Sequence, residues 1–260
     1  MIDCATVVAA PNAPVRRRLR DRQFYIGVGL FMIVFNAVAF GPSIVNPSTR
    51  NVPLPLTALA MTHAAVSASW LFLFLAQAAL VATGRSAIHR RVGVAGVVLT
   101  ALFLVLGWFT TLEQARRGFD LSGAISRVPA LPGVDPVSGT VGLLFFFLTF
   151  GVLAGGAFWF RRRPAVHKRL MLLALLGGLI PTPVAHLIGN WSALQPWATV
   201  VFVVSLVVFL AIGAIYDRMS EGRIHPVSLW CGLAVFAWNT TFNVAIIPSA
   251  AWRQFAHWVI

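Results

Sequence analysis

The sequence predicts an all-α membrane protein, a bundle of seven transmembrane helices, and its composition is the first reason. The 260 residues are 58% hydrophobic and 10% charged, whereas soluble domains carry about 25% charged residues. The mean hydropathy is +0.83, and long apolar segments recur along the chain. A chain of this composition needs lipid around it, so the bilayer is its first expected partner.

Seven apolar segments, separated by turn signals, account for the predicted helices. Each reaches the roughly 20 residues that a helix needs to cross a hydrocarbon core of about 30 Å. Short alternating strand patterns are absent from the sequence, and a helix satisfies its own backbone polar groups in lipid. The predicted spans are 24–45, 56–82, 92–112, 139–160, 170–190, 197–216 and 226–247.

The basic residues indicate the orientation of the bundle. Fifteen of the 20 Lys and Arg residues fall on one side of the seven-helix arrangement; the exceptions are Arg50, Arg116, Arg117, Arg127 and Arg253. Because cytoplasmic loops retain Lys and Arg, we expect the N-terminus inside and the C-terminus outside. The net charge of +13 then serves topology, and no nucleic-acid partner is expected, since such a partner needs a basic face on a folded domain.

The chain divides into three predicted regions. Residues 1–23 form a basic cytoplasmic tail, which we expect to be disordered, 24–247 form the membrane domain, and 248–260 form an outer interfacial tail. The longest outer connection, 113–138, is the only one large enough to act as a lid. We expect a protein that passes through its membrane several times.

A short motif recurs in the predicted inner turns. The sequence reads Arg85-Ser-Ala-Ile-His89-Arg-Arg91 before the third span and Arg163-Pro-Ala-Val-His167-Lys-Arg169 before the fifth. A shorter version surrounds His225 before the seventh. The repeat predicts hairpins built alike, each with a histidine at the cytoplasmic start of its second helix.

Several kinds of chemistry are disfavoured by what the spans lack. None of the seven Asp and Glu residues lies well inside a predicted span, and the single lysine, Lys168, sits at a boundary. Paired-carboxylate catalysis and carboxylate proton relays in the membrane are therefore disfavoured. The sequence also contains no phosphate-binding loop, zinc-protease motif or nucleophile elbow. Whether the protein is an enzyme stays open.

Four histidines are the candidate cofactor-binding residues. His63 and His186 match in depth near the outer side, and His89 and His167 match near the inner side. Ionisable groups within a membrane are functional candidates, and imidazole ligates haem iron or transition metals. In the alternative reading, the outer two only bond neighbouring helices and the inner two face lipid headgroups.

A polar pocket open to the outside is a second prediction. On the second span, His63, Ser67 and Trp70 share one helix face with Phe74 and Gln77, following helical periodicity. Four asparagines also fall in the outer half of the predicted bundle, namely Asn36, Asn190, Asn239 and Asn243. Together with His63 and His186 they suggest a cavity that opens outward.

Two resemblances arise at these residues. The chain resembles a widespread group of uncharacterised bacterial polytopic membrane proteins over about residues 22–190, extending towards 247. The motifs that carry this likeness are His63, Trp70-x3-Phe74-x2-Gln77, Gly84-Arg85, His89-Arg90-Arg91-x-Gly93 and His167-Lys168-Arg169-Leu170-Met171. This resemblance implies a multi-pass protein of the bacterial inner (plasma) membrane. The histidine arrangement is also similar to di-haem transmembrane ferric-reductase cytochromes, which place a histidine at the outer start of the following helix. Residues 137–144 contain none, so that role would fall to His186.

Three functional classes follow from these patterns. The leading one is a b-type haem protein that moves electrons within or across the membrane, with His89–His167 and His63–His186 as axial pairs. Near the inner haem propionates we would then expect four basic residues, Arg90, Arg91, Lys168 and Arg169. The second class is a small-molecule carrier or receptor that uses the outer pocket. The third is a helical scaffold for assembly with a membrane-protein partner or with itself.

Overall fold

The computed structural model describes residues 13–46, 56–120, 123–124 and 134–260. Seven helices within these ranges are long and apolar enough to cross a membrane, which confirms the predicted all-helical, multi-pass class. They are α1 (Ala13–Val45), α2 (Ala58–Ala82), α3 (Ser86–Arg117), α4 (Pro136–Trp159), α5 (Pro164–Asn190), α6 (Ala198–Glu221) and α7 (Val227–Ile246).

Five of the seven helices are longer than the predicted spans, whereas α2 and α7 are each two residues shorter. The three turns 83–85, 160–163 and 222–226 are shorter than predicted. Helix α3 was expected at 92–112 but runs from Ser86 to Arg117, so it includes charged residues at both ends. Helix α1 begins at Ala13, which makes part of the predicted 1–23 tail helical; residues 1–12 lie outside the described ranges. Helices can extend beyond the apolar spans because long basic side chains can leave the hydrocarbon while their backbone stays helical.

Three of the spanning helices change their local geometry. Helix α4 has a break between Pro136–Val141 and Leu144–Trp159. In α5 a π-helical segment, Ala174–Leu179, precedes Pro181, whose ring leaves no N–H to continue the ladder. Helix α7 starts and ends in π-helical turns. Turns of this type are common where helices bend or carry a site.

Helix α5 lies at the centre of the bundle. Within its spanning window 72% of the residues are buried, compared with 11% for α2. Helix α4 packs along the middle of α5, where the backbone of Phe150 lies close to Gly178. Large apolar side chains on α1, α2, α3 and α6 point outward, as expected for helices that face lipid.

An eighth helix, α8 (Ala250–Val259), follows the seven spans and occupies most of the predicted 248–260 tail. Its Trp252 indole Nε1 donates to the Ser138 carbonyl at 3.0 Å, and His257 contacts Asp135 at 3.1 Å. Although burial opposes ionisation of Asp135, donation from Ser138 outweighs it and holds the pKa of that carboxyl below its usual value. These contacts fasten α8 to the beginning of α4.

The long 113–138 connection is described only in part. Its first residues belong to α3, and a two-residue antiparallel pair forms between β1 (Phe119–Asp120) and β2 (Gly123–Ala124). Residues 121–122 and 125–133, where the predicted lid falls, lie outside the described ranges.

The bundle has two distinct ends. We call the end with the turns 83–85, 160–163 and 222–226 the basic end, because most of the Lys and Arg residues are there. The opposite end, where α2 begins and α3 finishes, is called the cavity end. Both names are independent of which end faces the cytoplasm.

The charge distribution predicts that orientation. Because 15 of the 20 Lys and Arg residues belong to the basic end, we expect this end to stay in the cytoplasm. A reporter fused after Ile260 should then be active only if it is of the kind that works outside the cytoplasm. The control is the same reporter fused within the 222–226 turn. Activity of a cytoplasm-dependent reporter at residue 260 would contradict the predicted orientation.

Candidate functional site

At the basic end, the structure brings His89 and His167 together. Each is the fourth residue of its helix, since α3 begins at Ser86 and α5 at Pro164. Matching positions in two similar turns place the two imidazoles at one level. Their ring centroids are 6.3 Å apart and their planes are inclined by 82°. The predicted inner pair is therefore a pair of neighbouring side chains.

Glycine and proline make these two turns short. Gly84 has a φ of +78°, a left-handed conformation that glycine adopts without a steric penalty, and it lets the chain reverse directly from α2 into α3. Pro164 occupies the first turn of α5, where its missing N–H costs nothing. The short reversals hold both histidines close to the preceding helices.

The hydrogen bond of His167 determines which of its ring nitrogens carries the proton. Nδ1 lies 2.8 Å from the carbonyl oxygen of Ala157 on α4. Because a carbonyl oxygen can only accept, Nδ1 must be the donor, and in the neutral ring the lone pair then resides on Nε2. This is the arrangement found in metal-ligating histidines, whose second nitrogen is held by a carbonyl or carboxylate.

Unpartnered polar atoms surround the second histidine. His89 Nδ1 and both amide atoms of Gln77 are buried and have no hydrogen-bond partner among the described residues. A Cβ built on Gly93 would lie 3.7 Å from Gln77 Nε2, which places this amide one helical turn from His89. Buried polar atoms normally have hydrogen-bond partners. The atoms of His89 and Gln77 are therefore able to bind a polar or metal-containing ligand.

The third histidine of the repeat has a different environment. His225 precedes α7 instead of lying inside it, and its Nδ1 accepts from the Val227 backbone N–H at 3.2 Å. Burial and the Arg169 guanidinium lower the pKa of His225. Its backbone N–H donates to Asp217. His225 thus belongs to a neighbouring ionic cluster.

That cluster, formed by Arg169, Asp217, Glu221 and Ser228, was not predicted. The Arg169 and Asp217 side chains are each only 2% exposed and form a direct salt bridge. Arg169 also binds Glu221 at 2.7 Å, and the Ser228 hydroxyl donates to Asp217 at 2.6 Å. The cluster joins α5, α6 and α7 beside the histidine pair.

These ion pairs change the expected roles of two basic residues. Lys168 and Arg169 were expected near haem propionates, yet Lys168 pairs with Asp21 at 2.7 Å and Arg169 with the two carboxylates of the cluster. Arg90 and Arg91 are exposed on α3. Of the four cations, these two remain available for an anionic group at the surface of the basic end.

At the cavity end, His63 and His186 have separate surroundings. The His63 ring stacks on Phe103, with centroids 5.2 Å apart, and meets Phe147 at 5.6 Å. His186 is 6% exposed, its ring lies 4.6 Å from that of Phe40, and the Asn190 amide lies 2.9 Å from its Nε2. Axial ligation by this second predicted pair stays a prediction.

A cavity of about 390 Å³ lies beside His63. It is enclosed by α1–α5, and Asn36, Ser67 and Thr182 line it together with several aromatic rings. Asn239 was expected to line the pocket but is buried and donates to the Val235 carbonyl of its own helix at 2.8 Å. The cavity is consequently more apolar than the sequence suggested.

No group of three or more His, Cys, Asp or Glu side chains in the described ranges is arranged to hold a metal ion. Comparison of the chain with protein-family models, with curated proteins and with solved structures found no match.

Proposed function

We propose that the protein is a b-type haem protein of the bacterial inner membrane, in which His89 and His167 would hold the haem iron and the haem would supply electron transfer. The distance between their rings is the observation that carries this proposal. Two metal–imidazole bonds of about 2 Å, with the radius of a ring added at each end, correspond to a centroid separation of about 6 Å. The observed value is 6.3 Å.

The tautomer of His167 supports the same function. Its proton is on Nδ1 and held by the Ala157 carbonyl, so Nε2 presents a lone pair in a fixed direction. Such a bond orients a ligating imidazole and raises its basicity. Haem, when bound, supplies the one-electron chemistry; the chain orients the ligands and limits access of water.

Residues around the pair could hold the rest of a macrocycle. Gly93 and Gly96 lie on α3 one and two turns from His89, and the Gln77 amide packs beside the first of them. The unpartnered Gln77 amide can bond to a polar edge group. Exposed Arg90 and Arg91 supply positive charge, which favours ionised carboxylates at the surface.

The proposal concerns one haem. For the His63–His186 pair, His186 would first have to give up its contact with the Asn190 amide. The carrier or receptor class is favoured by a different observation, the cavity at the other end. A small-molecule site there would be compatible with electron transfer at the basic end.

Substitution of the two histidines tests the proposed ligation. We expect His89→Ala and His167→Ala each to abolish the low-spin absorption bands of protein expressed with ample haem, because each variant removes one of two axial ligands. The measurement is the reduced-minus-oxidised visible spectrum of protein purified in mild detergent, normalised to chain concentration. His63→Ala should leave the bands unchanged under the one-haem proposal.

His225→Ala is the matched control, since it removes the third histidine of the same repeat from outside the pair. It should retain the full bands. A His167→Ala protein that elutes as a folded species and keeps an unchanged spectrum would contradict the proposal.

A further inference from the structure

The cavity beside His63 has the size of a binding site. Its volume of about 390 Å³ falls within the range of about 300–1,000 Å³ typical of small-molecule pockets. Five helices contribute to its walls. Ala60, Ala64 and Ala68 of α2 line this space.

The cavity has an apolar interior and a polar rim. Trp70, Phe103 and Phe150 line its deeper part, whereas Glu113 and Gln114 line it where α3 ends. Trp70 is not available as a donor to a ligand, because its Nε1 already donates to Thr100 at 3.0 Å. The deep part therefore offers rings and aliphatic groups to a ligand.

Two buried polar atoms of the residues that line the cavity lack a partner among the described residues. They are Nδ1 of His63 and Oγ1 of Thr110, and both are buried. Contacts between Thr57 and Glu113 and between Trp70 and Thr100 set the antiparallel register of α2 and α3. In this register His63 is level with residue 107, so Thr110 lies about one helical turn away.

We propose that this cavity binds a small, mainly apolar molecule, of flat aromatic type, that carries one hydrogen-bonding group. Its ring system would lie against the aromatic side chains, and its polar group would meet His63 and Thr110. A hydroxyl or carbonyl suits these atoms, because an imidazole Nδ1 and a threonine hydroxyl can each donate or accept. The proposal does not depend on haem at the basic end.

Binding of 1-naphthol and of naphthalene to purified protein in lipid nanodiscs tests the inference. The two probes share a ring system, and only 1-naphthol carries a hydroxyl. Equilibrium dialysis measures the amount of probe that binds. The Ala64→Trp variant, whose tryptophan fills the cavity, is the blank that accounts for probe dissolved in the lipid. We expect 1-naphthol to bind about threefold to tenfold more tightly, the net effect of one hydrogen bond.

Two sets of variants locate the binding. The double variant His63→Leu, Thr110→Val should abolish the preference for 1-naphthol, whereas Thr62→Val, on the exposed face of α2, should keep it. Ala65→Trp is the matched control for Ala64→Trp, because Ala65 is exposed and lies outside the cavity lining. It should bind both probes as the wild type does.

Three results would overturn the proposal. The first is equal affinity of the wild-type protein for the two probes, and the second is equal binding by the Ala64→Trp and wild-type proteins. The third is that neither probe binds above the blank, which would indicate that lipid chains occupy the cavity. If Ala64→Trp does not fold, Ser67→Leu serves as the blank and exposed Ser69→Leu as its control. The haem spectrum should stay constant across these variants, which separates this test from that of the proposed function.

Discussion

Replacing Asp217 with asparagine is expected to destabilise the protein by about 3–5 kcal/mol, the usual cost of breaking a buried ion pair. The carboxylate accepts from Arg169, from the Ser228 hydroxyl and from the His225 backbone N–H. Asparagine retains the volume but removes the charge, so a guanidinium that is 2% exposed loses its main compensation. The ends of α5, α6 and α7 would lose their shared contact.

The midpoint of thermal or denaturant unfolding in detergent measures this loss. Glu221→Gln is a graded control, because Glu221 is more exposed, at 12%, and should cost less. The double variant Arg169→Met, Asp217→Leu should be more stable than Asp217→Asn, since replacing a whole buried pair by apolar residues is often neutral. An Asp217→Asn protein as stable as the wild type would show that the cluster carries little of the stability.

Gly178→Ala is expected to destabilise the contact between α4 and α5 by about 1–3 kcal/mol, the usual cost of overpacking. A Cβ at this position would lie 2.8 Å from Cα and 3.0 Å from the backbone N of Phe150. Backbone atoms cannot rotate away as a side chain can, so the two central helices would have to separate. Small residues at such crossings allow this close approach.

Gly155→Ala is the matched control on α4. Nothing lies within 4 Å of a Cβ at Gly155, so the same substitution there should be neutral or stabilise the helix by up to about 1 kcal/mol. The unfolding midpoint of Gly178→Ala should therefore lie below that of Gly155→Ala. A Gly178→Ala midpoint equal to that of Gly155→Ala would contradict the close packing of α4 on α5.

The number of spans could be predicted because hydrocarbon thickness imposes a minimum length on every apolar segment. The ends of the helices could not. Hydropathy reports which residues sit in hydrocarbon, whereas α3 continues through Arg90 at one end and Arg116 at the other. Charged side chains at the headgroup level leave the hydrogen-bonding pattern of the backbone undisturbed.

The pairing of His89 with His167 was predictable from a repeated motif that occupies the same place in two hairpins. The Arg169–Asp217 pair was not, because Asp217 stands close to a helix end and hydropathy cannot separate a buried charge from one in the headgroups. Asn239 was assigned to the wrong surroundings for a related reason. An asparagine can donate its amide N–H to its own helix, as Asn239 does to the Val235 carbonyl, and the sequence pattern does not reveal this.

The visible absorption spectrum of the wild-type protein, purified in mild detergent from haem-sufficient cells, tests the central claim most directly. The account predicts about one haem per chain, with low-spin bands that sharpen on reduction, because the rings of His89 and His167, with centroids 6.3 Å apart, would both ligate the iron. A well-folded protein that is colourless and stays haem-free after reconstitution would contradict it.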